Sequence, residues 1–187
     1  MRKPQFVNYC SHCGYQPLVF EIPLGDSRPR FVCPNCKTIH YQNPKVVVGC
    51  LPIWQDQILL CKRSIEPRAG FWNLPAGYLE NGETVQMGAK RETWEEAGSE
   101  VQIVRLHAVF DLPEINQVYL FFLAKMTSSH FESGIETLET KLFLPQDIPF
   151  EDMAFVSSTF AIRRYLEDPD GSQVYFGQYP NNSTKGA

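Results

Sequence analysis

The sequence lacks any apolar run long enough to cross a membrane. Its longest apolar stretches, such as 46–53 and 118–124, are only as long as β-strands, whereas a membrane-spanning helix needs about 20 residues. The basic residues behind Met1 are not followed by the apolar stretch of a secretory signal peptide. We therefore expect a protein that does not enter the membrane and is located in the cytoplasm.

An excess of positive charge is also missing. The 187 residues include 17 Lys and Arg against 21 Asp and Glu, which gives a net charge of -4. Proteins that coat nucleic acids are usually basic, so the charge argues against nucleic acid as a partner. It also argues against hydrolysis of nucleotide-capped RNA. A small anionic substrate fits this charge if a bound metal ion offsets it locally.

Without an export signal, the six cysteines of the chain are not expected to form disulfides. Two Cys-x-x-Cys pairs near the N-terminus have the spacing that is typical of zinc ribbons. The four residues are Cys10, Cys13, Cys33 and Cys36. Four thiolates complete a tetrahedral site, so this zinc should be structural. Two redox dithiols are the alternative, but a redox centre needs only one pair. Cys50 and Cys61 lie in apolar strand patterns and should be buried, inert thiols.

Composition divides the chain into three parts. Residues 1–41 hold both cysteine pairs but few large apolar residues, so metal binding would supply their folding free energy. Residues 42–170 have the pattern of a mixed α/β domain, and residues 171–187 form a tail rich in Pro, Asn, Ser and Gly. Within the α/β part, periodicity and propensity predict regular elements. The expected strands are 45–53, 58–62, 101–110, 117–126 and 140–144, and the expected helices are 83–97 and 152–167.

The most informative segment is the predicted helix 83–97. Glu92 and Glu96 are four residues apart and share one helix face, and Glu95 flanks the same face. Three crowded carboxylates should repel one another unless cations lie between them, and hard oxygen ligands suit Mg²⁺ or Mn²⁺. A solvated acidic face, paired within the helix to Lys90 and Arg91, is the alternative.

The complete pattern around this helix resembles the Nudix family. The family motif fixes seven positions, and this chain matches all of them with Gly77, Glu83, Arg91, Glu92, Glu95, Glu96 and Gly98. Thr93 and Ser99 stand where the family usually has aliphatic residues, so the packing there should differ. The resemblance implies an α/β/α sandwich with a mixed β-sheet, preceded here by a small N-terminal zinc ribbon.

The resemblance also implies roles for the motif residues. Glu92, Glu95 and Glu96, with the carbonyl of Gly77, would bind the divalent cations, and a metal-held water would attack one phosphorus. Arg91 would orient Glu83 or Glu95 through a bidentate pair. The general base would be Glu92 or a carboxylate outside the motif. The candidates outside it are Glu136 and Glu139, and we favour Glu139 because it directly precedes a predicted strand.

The substrate implied by the resemblance is a nucleoside diphosphate derivative, hydrolysed to a nucleoside monophosphate and a phosphorylated product. A zinc ribbon before a Nudix domain looks like the NADH pyrophosphatase branch, but the Ser-Gln-Pro-Trp-Pro-Phe-Pro run typical of that branch is missing. FAD and ADP-ribose are therefore favoured over NADH. The candidate substrate contacts are Arg63, Trp72, Phe110 and Tyr119. Family members are often homodimers. The alternative function is a zinc-ribbon module that binds nucleic acid or protein, attached to an inactive Nudix-like domain.

Overall fold

The structure, a computed structural model, describes residues 7–180. The chain separates into two compact units, with the boundary between Pro44 and Lys45. The boundary predicted from composition, between residues 41 and 42, lies three residues earlier. None of the helices within residues 7–180 is long and apolar enough to cross a membrane.

The N-terminal unit contains a small antiparallel sheet and two cysteine turns, one before the first strand and one between the second and third strands. Its strands are β1 (Val19–Glu21), β2 (Arg30–Val32) and β3 (Ile39–His40), in the order β1-β2-β3. In each turn the residue after the second cysteine has a left-handed backbone, with φ of 72° at Gly14 and 63° at Lys37. The Gly14 N–H donates to the Cys10 carbonyl at 2.8 Å, and the Lys37 N–H donates to the Cys33 carbonyl at 2.9 Å. These bonds close both turns tightly.

The second unit is built on a mixed sheet. Its strands are β4 (Lys45–Trp54), β5 (Gln57–Arg63), β6 (Trp72–Asn73), β7 (Ala76–Tyr78), β8 (Val101–Leu112), β9 (Gln117–Met126), β10 (Thr137–Phe143) and β11 (Tyr175–Gln178). The main strand order is β10-β5-β4-β9-β8-β11, and the short strands β6 and β7 pair with β5 and β4. β4 runs parallel to β9, and β8 runs parallel to β11, while the remaining neighbours are antiparallel.

Two helices, α1 (Val85–Ala97) and α2 (Val156–Glu167), contribute to two separate apolar cores. Successive strand residues point to opposite faces of a sheet, and the core members alternate accordingly. In β9, Phe121 packs in the core that contains Ala161 and Ile162 of α2, whereas Phe122 packs in the core that contains Ala89 of α1. The sheet therefore lies between the helices, and the predicted α/β/α sandwich is confirmed.

Helix α1 begins two residues later than expected. Thr84 is its N-cap, and the Thr84 hydroxyl accepts from the Met87 N–H at 3.2 Å. The helix ends at Gly98, whose left-handed backbone (φ 57°) lets its N–H donate to the Trp94 carbonyl. Helix α2 likewise starts later than expected, at Val156, because residues 150–152 form a short 3-10 turn instead.

The C-terminal segment differs from the expected tail. Tyr175–Gln178 forms β11, which pairs with residues 108–111 of β8. Sequence composition did not indicate this strand because its pairing is non-local and its side chains are only partly buried. Residues 181–187 of the expected tail lie outside the described residues.

His107 on β8 is fully buried beneath this C-terminal strand. Its Nε2 donates to the Ala161 carbonyl at 2.9 Å, while its Nδ1 accepts from Arg105 Nη1 at 3.2 Å. The rings of Tyr165 and Tyr175 flank it. Burial lowers the pKa of His107, the Ala161 carbonyl raises it less, and the Arg105 charge lowers it further. The imidazole is therefore held neutral.

We predict that this histidine makes the protein acid-sensitive. Since the folded pKa lies below the value of about 6.5 of an unfolded chain, the unfolded state binds the extra proton first. The contribution of neutral His107 to the free energy of unfolding should therefore be fully present above pH 6.5. It should decrease as the pH drops towards the folded pKa. Denaturant unfolding from pH 7.5 to 5 should show this loss, and His107→Gln should flatten it. The exposed His130→Gln is the control, and an unchanged pH dependence in His107→Gln would contradict the prediction.

Candidate active site and zinc centre

Four cysteine sulfurs converge in the N-terminal unit. The Sγ atoms of Cys10 and Cys36 are 3.5 Å apart, those of Cys13 and Cys33 are 3.6 Å apart, and all four lie within 4.8 Å of one another. Zn–S bonds of about 2.3 Å in a tetrahedron require sulfurs about 3.8 Å apart. The geometry fits zinc, and within residues 7–180 it is the one preassembled group of His, Cys, Asp or Glu ligands.

Arg91 is the centre of the acidic face of α1. Its Nε and Nη2 donate to both oxygens of Glu83 at 3.1 and 2.8 Å, which is the expected bidentate pair. Its Nη1 donates to Glu92 at 2.7 Å and to Glu95 at 3.0 Å, and Nη2 also reaches the carbonyl of Tyr78. The pairing with Arg91, above all, lowers the pKa of Glu83 to about 2. One guanidinium thus orients three carboxylates and the strand before the helix.

Glu92 and Glu96 lie deeper than Glu95. The Glu92 side chain is 12% exposed, whereas that of Glu95 is 54% exposed. The Glu92 carboxylate lies directly against Gly77, where any Cβ would overlap it, and Glu96 accepts from the Ala76 N–H at 3.3 Å. The motif glycine therefore leaves space for the Glu92 carboxylate beside β7.

Both carboxylates are destabilised in their charged form. Desolvation, followed by repulsion from Glu92, raises the pKa of Glu96 to about 8. Desolvation also raises the pKa of Glu92, although Arg91 opposes the shift. A divalent cation beside these oxygens would offset the cost of burying the charges.

The strand that follows the site begins earlier than expected. β10 starts at Thr137, so Glu139 lies within the strand, with its backbone opposite Lys62. Glu136, not Glu139, directly precedes the strand. Desolvation is the main cause of the raised pKa of both Glu92 and Glu96, and the negative charge of Glu136 adds a smaller contribution, so its carboxylate lies within electrostatic range of the site. Glu139 was favoured because it was predicted to precede the strand directly. That prediction is wrong, because the pairing with β5 extends β10 towards its N-terminus.

The four candidate substrate contacts divide into two groups. Trp72 and Phe110 are 7% and 5% exposed, and their rings pack against Phe143 and Phe160 in the interior. They are core residues. Arg63 lies close enough for its positive charge to lower the pKa of Glu96, against the dominant effect of desolvation. Tyr119 is half-buried.

Beside the motif glycine lies a hydrogen-bonded chain that the sequence did not indicate. The Tyr119 hydroxyl donates to Gln117 at 2.9 Å, and the Gln117 amide donates to the Tyr78 hydroxyl at 2.9 Å. The Lys45 ammonium lies 4.9 Å from the centre of the Tyr78 ring, which is itself exposed. The one indication in the sequence was that Tyr78 directly follows the motif residue Gly77.

Comparison with known proteins bears directly on this geometry. The family model described as NUDIX domain matches residues 43–161, and the model described as Nudix N-terminal, a zinc ribbon, matches residues 8–42. The chain belongs to the Nudix family. Its N-terminal cysteines correspond to the family's zinc ribbon.

Individual relatives agree with this assignment. A Nudix hydrolase crystal structure from Nitrosomonas europaea is 49% identical, with a TM-score of 0.86 over 92% of this chain and 98% of that one. The NAD-capped RNA hydrolase NudC of Chromobacterium violaceum is 30% identical over 63% of this chain and 42% of its own length. An ADP-ribose pyrophosphatase of Methanocaldococcus jannaschii is 28% identical over 58% of this chain and 67% of its own. The chain spans about half the length of the NudC relatives it matches.

The two residues that depart from the Nudix motif lie in the interior. Thr93 and Ser99 are 0% and 1% exposed. The Thr93 hydroxyl donates to the Ala89 carbonyl one turn earlier, at 2.8 Å. The two cysteines outside the zinc ribbon, Cys50 and Cys61, are buried as expected, and burial raises the pKa of both thiols. Thr93 therefore lies on the buried side of α1, away from its carboxylate face.

We predict that Cys33→Ser releases the zinc and unfolds the N-terminal unit, because three remaining thiolates bind the metal weakly and the unit has little apolar core. Metal analysis and thermal unfolding of the purified protein measure both effects. Cys50→Ala, which alters a buried thiol of the other unit, is the control and should keep its zinc. Full zinc content in Cys33→Ser would remove Cys33 from the ligand set.

Proposed function

We propose that the protein hydrolyses the pyrophosphate bond of a nucleoside diphosphate derivative, releasing a nucleoside monophosphate and a phosphorylated product. The observation that carries this proposal is the partly buried pair Glu92 and Glu96 on α1, which lies beside Gly77 and within electrostatic range of Glu136. Such desolvated carboxylates suit a site for divalent cations and phosphate oxygens.

Glu92, Glu95 and Glu96, with the Gly77 carbonyl, would hold Mg²⁺ or Mn²⁺. When bound, the ion supplies activation of water and neutralisation of charge on the diphosphate. Arg91 keeps Glu92 and Glu95 in place, and Glu83 in turn fixes the plane of the Arg91 guanidinium. Glu95, being exposed, can exchange Arg91 for another positive partner at little cost.

Glu136 is the carboxylate that we propose as the general base. Its charge acts on Glu92 and Glu96, and it has no place in the Arg91 network. A carboxylate there can take the proton from the water that attacks phosphorus. Arg63, which is positively charged beside the same face, is placed to hold a phosphate oxygen of the substrate.

The proposed substrates are ADP-ribose and FAD, ahead of NADH. One relative is named an ADP-ribose pyrophosphatase, and the run typical of the NADH branch is missing here. The half-buried Tyr119, linked to Tyr78 through Gln117, provides a polar surface for the group attached to the diphosphate. Homodimer formation and cytoplasmic location stay predictions.

A substrate panel tests the proposal. The purified protein is incubated with Mg²⁺ or Mn²⁺ and ADP-ribose, FAD, NADH, nucleoside triphosphates or NAD-capped RNA, and the products are separated by chromatography. We expect AMP from ADP-ribose and FAD, and no release after chelation of the metal. Intact substrates in every arm would instead favour a zinc-ribbon binding module with an inactive domain. Preferential cleavage of the capped RNA would instead assign the protein the hydrolysis of NAD-capped RNA, the function named for its NudC relatives.

We predict that Glu96→Gln lowers kcat by several powers of ten and leaves the fold intact. Its carboxylate is central to the buried face, and the isosteric amide removes the charge without creating a cavity. Turnover is measured with saturating substrate, and the melting temperature reports the fold. Near-normal turnover would remove Glu96 from the cation ligands.

A paired comparison separates the two base candidates. Glu136→Gln should lower kcat by about 10²–10⁴-fold, the usual contribution of a general base. Glu139→Gln, within β10 and opposite Lys62, should lose at most a few-fold. The reverse order of effects would restore Glu139 as the base.

A further inference from the structure

The loop before β10, residues 131–136, caps the helix that carries the motif carboxylates. The Glu132 N–H donates to the Ala97 carbonyl at 2.8 Å, and the Gly134 N–H donates to the Glu96 carbonyl at 3.1 Å. The last carbonyls of a helix have no partner within it. The loop thus supplies donors to the end of α1, one of them to the backbone of Glu96 itself.

Gly134 touches the helix backbone without any intervening side chain. A Cβ on this residue would overlap the carbonyl oxygen of Glu95 and lie 2.9 Å from its carbonyl carbon. These neighbours are backbone atoms, so no side chain can rotate away to make room. A larger residue at 134 must move the loop, the helix end or both.

The opposite side of the loop is fixed as well. The Thr137 N–H donates to the Gly134 carbonyl at 3.1 Å, which closes a turn with Ile135 and Glu136 at its tip. The Ser64 N–H, at the end of β5, donates to the Glu136 carbonyl at 2.9 Å, and the Ser64 hydroxyl donates to that of Ile135 at 3.4 Å. The backbone of Glu136 is therefore held between α1 and β5.

We propose that Gly134 is a positioning residue that sets the distance between Glu136 and the carboxylate face of α1. This role rests on the proposed function, in which Glu136 receives a proton during hydrolysis. Because Gly134 begins the turn and cannot withdraw from the Glu95 carbonyl, it determines how closely Glu136 approaches. A misplacement of about 1 Å in such a group can cost about 10²-fold in rate.

A mutant cycle tests this role. Gly134→Ala, Glu136→Gln and the double variant are compared for kcat and KM on the substrate that the wild-type protein hydrolyses best. Gly134→Ala should lower kcat by about 10- to 100-fold while KM changes by less than about threefold. In the Glu136→Gln background the same substitution should cost nothing further, since its effect passes through Glu136.

The cycle also separates this role from damage to the helix. If Gly134→Ala acted by moving α1, its loss of kcat would persist in the Glu136→Gln background, and that result would overturn the proposal. So would a Gly134→Ala protein with wild-type kcat. A wild-type protein that hydrolyses no substrate would instead overturn the proposed function, together with the role that rests on it.

Two further variants guard against misfolding. Ser133→Ala is the neighbouring control, because the exposed Ser133 hydroxyl contacts Thr140 and not α1; it should keep wild-type kcat. If Gly134→Ala does not fold, Ser64→Ala loosens the turn from the β5 side by removing the bond to Ile135. Its kcat should fall severalfold, and this loss should vanish when combined with Glu136→Gln. Equal losses in both backgrounds would overturn the proposal.

Discussion

The pairing of Arg91 with the acidic face of α1 is the interaction on which the rest of the site depends. Crowding Glu83, Glu92 and Glu95 around one helix would be costly without a positive charge among them. Arg91 meets all three, and it also binds the carbonyl of Tyr78 in the adjoining strand. The guanidinium that pairs with these three carboxylates therefore also holds β7 against α1.

Beyond the reach of Arg91, burial and the neighbouring carboxylates oppose ionisation of Glu96, and the Ala76 N–H and the charge of Arg63 offset this in part. Glu96 is partly buried on the face it shares with Glu92, and it accepts from the Ala76 N–H. Glu136 adds a further negative charge from outside the helix. Keeping desolvated carboxylates together therefore lowers the stability of the fold, which is typical of sites whose ligand supplies the compensating positive charge.

The features fixed by short-range spacing could be predicted from the sequence. The resemblance to the Nudix motif implied a bidentate pair from Arg91 to Glu83 or Glu95, and the cysteine spacing predicted the sulfur cluster. Alternating apolar residues predicted the main strands. Glu136 was not favoured, because the start of β10 depends on pairing with β5, far away in the chain. The burial of Trp72 and Phe110 depends on which elements cover each face of the sheet, and the strand β11 depends on non-local pairing with β8.

The central claim is that the α1 carboxylates hold divalent cations against the diphosphate of a substrate. The most direct measurement is a crystal structure with Mn²⁺ and a non-hydrolysable ADP-ribose analogue, using the anomalous scattering of manganese to place the ions. The account predicts manganese peaks in contact with Glu92 and Glu96 and with the analogue's phosphate oxygens. Bound analogue with no manganese at these carboxylates would contradict it.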